Sequence, residues 1–195
     1  MTTRDKILDE ALTLFAQNGY DGTSVEEIAE KVGIKAPSLY NHFKGKEDIL
    51  NALIDMTEAR YEEFFGSDKH IGKLPVSKEE FIQTAIQKVS FTMRDPMIRK
   101  MRKFLVREQF RNERFAAITT KHQLSGIRGM YAKIIKDMMS KGLFKEDDSE
   151  LLATEVTAPV ALWVAKADRQ PHCEQESLES IEKHVRHFCD MYMIG

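Results

Sequence analysis

The twenty residues from Ser24 to Phe43 limit the fold of this 195-residue chain more than any other stretch. Ser24-Val25-Glu26-Glu27 reads as a capping box, in which the Ser24 hydroxyl accepts from the Glu27 amide and Glu27 reaches back. The helix it opens turns Val25, Ile28, Ala29 and Val32 to one side. Gly33 breaks that helix. A second short helix runs from about Ala36 to Phe43, with Pro37 in its first turn, where a missing amide hydrogen is harmless. A capped helix, a tight glycine turn and a short second helix are the plan of a helix-turn-helix.

Helical periodicity continues on both sides. Ile7, Leu8, Ala11, Leu12 and Phe15 share one face, and Gly19 stands where a glycine in the left-handed conformation stops a helix. Glu47 opens a longer helix to about Phe64, carrying Ile49, Leu50, Leu53 and Ile54. Residues 66–76 have loop composition. A second capping box, Ser77-Lys78-Glu79-Glu80, then opens a helix bearing Phe81, Ile82, Ala85, Ile86 and Val89. Asp95-Pro96 restarts the chain before the stripe from Met97 to Leu105. One long helical stretch is expected from about Arg107 to Ser140, another from Asp147-Asp148-Ser149 to about Ala167 with a kink at Pro159, and a last one from about Glu174 to Met193. No stretch shows sustained period-2 alternation. The expected class is all-α, with about nine helices. A three-helix DNA-binding domain over residues 1–47, its motif at 24–43, precedes a helical domain over 48–195.

Charge bears on what the motif can touch. The formal net charge is −2, so the chain does not coat nucleic acid with a globally basic surface. Between Lys31 and Lys46 there are four lysines, His42 and no acid, flanked by Glu30 and Glu47. Phosphate attraction depends on where such charge sits, and the second helix of the motif lies in the major groove.

The strings Ile7-Leu8-Asp9-Glu10-Ala11-Leu12-Thr13-Leu14-Phe15, Gly19-Tyr20, Thr23 to Ala29, Val32-Gly33-Ile34 and Leu39 to Glu47 resemble the DNA-binding domain of the tetracycline-repressor (TetR) family. The resemblance covers about a quarter of the chain. It implies that Lys35, Ala36, Pro37 and Ser38 face base edges. It further implies that Tyr40 and His42 bond phosphates with Asn41 between them, that Lys46 clamps a phosphate, and that Ser24 sets the first helix with its amides towards the backbone. Ala36 and Pro37 offer only apolar contact, and only Lys35 and Asn41 offer strong base hydrogen bonds. Phe43 reads better as core. For the rest of the chain the resemblance implies a helical domain that binds an effector and dimerises.

That rest carries its own patterns. Leu178, Ile181, Val185, Phe188 and Tyr192 alternate three and four apart like a heptad seam. With Leu152, Val156 and Val160 of the apolar helix before them, they suggest a four-helix interface between two identical chains. The other reading is packing within one chain. Phe81, Met97, Met101, Phe104, Phe110, Phe115, Tyr131 and Trp163 are candidates to line an effector pocket, or are plain core. His184, His187, Cys189, His172 and Cys173 lack paired ligand spacing, so no metal or cofactor is expected. Arg94, Arg99, Lys100, Arg102, Lys103, Arg107, Arg111 and Arg114 face three acids within residues 94–114. They read as a solvated face, or else as charge turned to DNA or an anionic effector.

No catalytic constellation is found: no Ser-His-Asp set, phosphate-cradling glycine loop or strand-borne nucleophile. The N-terminus is polar and no apolar run is long enough to span a bilayer, so a cytoplasmic protein off the membrane is expected. Two cysteines make no disulfide framework. The function expected is a ligand-responsive regulator, a repressor, that binds a palindromic operator as a homodimer under an unidentified small-molecule effector. The alternative is a helical ligand-binding module or enzyme that keeps the helix-turn-helix as packing.

Overall fold

In the computed structural model, which describes residues 1–66 and 74–194, four helices begin at a side-chain cap, on Thr2, Ser24, Ser77 and Asp148. Thr2 and Asp5 form a capping box at α1 (Thr3–Asn18), and Ser24 and Glu27 form the expected one at α2 (Val25–Val32). Lys35 precedes α3 (Ala36–Tyr40), which places Pro37 in the first turn. Then come α4 (Lys46–Phe65), α5 (Lys78–Arg94), α6 (Pro96–Glu108), α7 (Glu113–Thr120), α8 (Gly126–Ser140), α9 (Ser149–Arg169) and α10 (Glu174–Tyr192). The box at Ser77 is split: its hydroxyl accepts from Glu80 N, but the Glu80 carboxylate takes Val76 N instead of Ser77 N. Most of the stretch read as a loop, residues 67–73, lies outside the described residues.

Three boundaries differ from expectation. The second helix of the motif ends at Tyr40, and the chain then tightens through Asn41 N to Ser38 O at 3.3 Å and His42 N to Leu39 O at 2.9 Å. The long stretch from Arg107 is broken after Glu108 by a turn, and the Asn112 side chain then accepts from Arg114 N at 2.8 Å to start α7. Between α7 and α8 the helix widens to a π turn over Lys121–Ser125. Counted through that turn, α7 and α8 are one helix, which gives nine helices among the described residues. The only extended pairing among those residues is an isolated bridge of Phe144 with Met193.

The chain divides into two compact units. The first comprises Met1–Glu63 and Pro96–Ala117. Its core takes Ile7, Leu8, Ala11, Leu12 and Phe15 from α1, Ile28 and Ala29 from α2, Leu39 and Phe43 around α3, Ile49, Leu50 and Leu53 from α4, and Ile98, Met101, Phe104 and Leu105 from α6. Four rings close a cycle there. Phe15 lies 5.4 Å from Tyr20 and 5.5 Å from Phe104, and Phe115 lies 6.1 Å from Tyr20 and 5.3 Å from Phe104. This unit extends past the division read at residue 47, because α6 packs on α1 and Phe115 of α7 packs on Tyr20 and Phe104.

The second unit comprises Phe64–Asp95 and Ile118–Gly195. Its core joins Phe81, Ile82, Ala85 and Met93 of α5 to Ile135 and Met138 of α8, Leu152, Ala153 and Val156 of α9, and Ile181, Val185 and Phe188 of α10. Among the described residues no helix is long and apolar enough to cross a membrane.

Candidate nucleic-acid interface

The first unit presents α3 as a short exposed helix on a buried foundation. Leu39 and Phe43 point inward, whereas Lys35, Pro37, Ser38, Tyr40, Asn41 and His42 are exposed and Ala36 is half-exposed. Tyr40 keeps half its surface in solvent, unusual for a large ring with buried neighbours at Leu39 and Phe43. Phe43 is core, as its spacing indicated.

The flanking residues are more committed. The Ser24 hydroxyl accepts from Glu27 N at 3.1 Å and bonds the Glu27 carboxylate at 3.1 Å, while Ser24 N donates to that carboxylate at 2.7 Å. These bonds to Ser24 hold the Glu27 carboxyl below its ordinary pKa. Ser24 therefore frames the start of α2, and its own donors are spent on Glu27. Lys46 differs from the free clamp expected of it. Its ammonium donates to the carbonyls of Tyr20 at 2.7 Å and Thr23 at 2.9 Å and lies 4.4 Å from the centroid of the Tyr20 ring. It bolts the turn before α2 to the start of α4 and keeps one donor for an anion.

Charge sorts the cations of this unit into two groups. Among the described residues Lys31, Lys35 and Lys44 form no ion pair, and all three are exposed. Several cations of residues 94–114 are used inside the fold. Lys100 pairs with Asp9 at 2.7 Å, the Arg107 guanidinium donates to Gln17 O at 2.5 Å, and Arg114 donates to the Asn51 side chain at 2.5 Å. Arg107 and Arg111 flank the Glu108 carboxylate at 4.0 Å, and Arg102 is buried. In the second unit Arg94 pairs with Glu174 at 3.0 Å. Lys100, Arg107 and Arg114 thus tie helices together, whereas Lys103 is exposed and forms no ion pair among the described residues.

The other candidates are also relocated. Of the eight effector-pocket residues, Met97, Met101, Phe104, Phe110 and Phe115 belong to the first unit and only Phe81, Tyr131 and Trp163 to the second. Phe104 and Phe115 are members of the ring cycle, and Phe110 is 91 % exposed. Of the residues read as a dimer seam, Leu152, Val156, Leu178, Ile181, Val185 and Phe188 are buried inside a single chain. A residue with no free surface has none to give to a partner, so these six form the seam between α9, α10 and α5 of one chain. Val160 and Tyr192 stay partly exposed, with the Tyr192 hydroxyl on the Glu155 carboxylate at 2.8 Å. His184 bonds Val156 O at 3.3 Å through Nε2, and among the described residues no three His, Cys, Asp or Glu side chains group as a metal site.

Comparison with known proteins agrees with this geometry. Residues 7–53 match the family described as bacterial regulatory proteins, tetR family. The HTH-type negative transcriptional regulator IcaR of the biofilm operon icaADBC is 46% identical over 52 residues in Staphylococcus epidermidis, covering 27% of this chain and 28% of that one. In Staphylococcus aureus it is 54% identical over 51 residues, covering 26% and 27%. The match thus spans about a quarter of these relatives' length. Across the whole chain the fold is shared with SmeT, the repressor of the Stenotrophomonas maltophilia multidrug efflux pump SmeDEF, at a TM-score of 0.69 and 18% identity over 100% of this chain and 92% of that one. A SmeT–triclosan complex superposes at 0.74 with 20% identity over 100% and 93%. A TetR family transcriptional regulator from Pseudomonas syringae superposes at 0.68 with 17% identity over 100% of both chains.

Proposed function

Because residues 7–53 match the model of bacterial regulatory proteins, tetR family, we propose that the chain is a ligand-responsive transcriptional repressor that reads a two-fold symmetric operator as a homodimer. The observation that carries the reading is the exposed face of α3. It is a helix of groove-entering length, with Tyr40, Asn41 and His42 presented on buried Leu39 and Phe43, and with unpaired Lys35 and Lys44 at its two ends. Lys35, Ala36, Pro37 and Ser38 are assigned to base edges, and Tyr40 and His42 to phosphates, in the manner of a recognition helix. Residues 1–47 carry the reading. A regulator of bacterial genes works in the cytoplasm, and no catalytic step is assigned to it.

Recovery of bound fragments from random duplex DNA at about 150 mM salt, where nonspecific phosphate binding is suppressed, is expected to return a symmetric site. Its half-sites should lie about 34–36 Å apart or a multiple of that. Tyr40→Ala should weaken binding to the recovered site by about tenfold, from loss of ~1–2 kcal/mol of phosphate bonding, with fold and oligomeric state unchanged. Undiminished affinity in that variant contradicts the assignment.

Dimerisation is assigned to the outward sides of α9 and α10. Leu151 and Leu162 are exposed and eleven residues apart, which brings them back to one side of α9, and Met191 is exposed on α10. Leu162→Glu is therefore expected to shift sedimentation from dimer towards monomer at micromolar concentration; an unshifted boundary removes α9 from the interface.

The effector is placed in the second unit, where Phe81 and Tyr131 meet edge to face at 6.0 Å and burial raises the Tyr131 phenol's pKa, keeping it a neutral donor. An effector acts on the operator only through its difference in affinity for two conformations. The chain passes between the units at Glu63–Phe64 within α4, at Asp95–Pro96 and at Ala117–Ile118 within α7.

A further inference from the structure

Resting on the DNA-reading proposal, we infer that Arg4, outside the helix-turn-helix, is a phosphate-binding residue that extends the nucleic-acid interface beyond α3. Arg4 is the second residue of α1, yet its guanidinium carbon lies 4.9 Å from the centroid of the Phe43 ring. Phe43 is held in the core, and its amide donates to Leu39 O at 3.1 Å, so the ring is fixed to the end of α3. Arg4 is thereby mounted beside exposed His42 and Lys44.

Three physical features suit it to an anion. First, it is exposed and forms no ion pair among the described residues, in contrast to Lys100, which pairs with Asp9. The carboxylate of its neighbour Asp5 accepts from Thr2 N at 2.8 Å. Second, a guanidinium stacked on a ring uses its face and leaves its N–H edge outward. That planar fork matches two phosphate oxygens, and a side chain already ordered by stacking has less freedom to lose on binding. Third, Lys35 caps the start of α3 and Phe43, which carries Arg4, stands beyond its other end. With the start of α3 against base edges, a cation beyond its other end stands at the wall of the groove, where the phosphates are.

The test is the salt dependence of binding to the recovered operator by the full chain and by Arg4→Gln and Arg4→Lys. Each neutralised phosphate contributes a slope of about 0.9 in log K against log salt, so losing one contact per half-site should lower the dimer's slope by about 1.8. From about 50 to 200 mM salt the unaltered protein should then lose about tenfold more affinity than Arg4→Gln. Arg4→Lys, which keeps the charge without the planar stack, should retain the slope and bind with intermediate affinity. Circular dichroism should find both variants folded. The preferred sequence should be the same for all three proteins. A slope unchanged in Arg4→Gln overturns the inference and leaves the operator reading standing. A changed flanking-base preference overturns the phosphate assignment in favour of base contact. Failure of the unaltered protein to bind any DNA in a salt-dependent way overturns both.

Discussion

Phe104→Ala is expected to destabilise the first unit by about 3–5 kcal/mol and to abolish operator binding, although Phe104 lies more than sixty residues beyond α3. The ring is fully buried and touches two others, Phe15 at 5.5 Å and Phe115 at 5.3 Å. Its removal leaves a void bounded by α1, α6 and α7, and neighbours that are themselves parts of a closed cycle of rings cannot collapse into it freely. The loss is a large share of the roughly 5–15 kcal/mol that holds a typical domain folded. Tyr20, the fourth ring, carries Lys46 on its face, and Lys46 in turn holds the turn before α2, so damage at Phe104 passes to the start of the motif through packed groups. Chemical denaturation followed by near-ultraviolet dichroism, with operator binding measured in parallel, reads both effects. Full operator affinity in a destabilised Phe104→Ala would show that α6 is dispensable to the reading unit. The conservative Phe104→Leu should lose far less.

How much of this was legible in the sequence depended on whether the cause was local. The cap at Ser24, the helix start at Asp147-Asp148-Ser149, the stop at Gly33, Pro37 in the first turn of α3 and the inward stripe of α1 are set by residues within one or two turns, and each stands where spacing placed it. Exposure of Lys35, Tyr40 and His42 followed from the same local pattern. What periodicity does not encode is the partner of a stripe. The heptad spacing of Leu178, Ile181, Val185 and Phe188 requires only a helix to face, and α9 and α5 of the same chain supply it. In the same way, the aromatic residues of α6 and α7 look like pocket lining until α1 is known to cover them. The basic run of residues 94–114 illustrates the limit for charge: Asp9, Gln17 and Asn51 meet it from 63 to 91 positions away in sequence. Signals for two misplaced features were present nonetheless. Thr2-Thr3-Arg4-Asp5 has the spacing of an N-terminal cap, with Asp in place of Glu, and Asn112 is a good start for α7.

The second large effect belongs to Gly19, and it separates two glycines that look alike in sequence. Both follow helices, Gly19 after α1 and Gly33 after α2, and both have positive φ, 84° and 78°. Their ψ values differ. Gly33 at ψ 29° is left-handed helical, a conformation asparagine also adopts, and an added Cβ there would meet nothing within 4 Å. Gly19 at ψ 171° occupies a region open essentially to glycine alone. A Cβ on it would stand 2.6 Å from Oε1 of Glu108, a carboxylate only 2 % exposed whose Oε1 has no hydrogen-bond partner. Gly19→Ala should therefore cost about 2–3 kcal/mol, combining backbone strain with displacement of a buried charge, whereas Gly33→Asn should cost less than about 1 kcal/mol. Adding Glu108→Ala to Gly19→Ala isolates the two parts in a double-mutant cycle on urea unfolding. A positive coupling that returns about 1 kcal/mol assigns that share to the contact, and the remainder to the backbone. Equal losses for Gly19→Ala and Gly33→Asn would mean that the close approach of α6 to the end of α1 is not what makes Gly19 necessary.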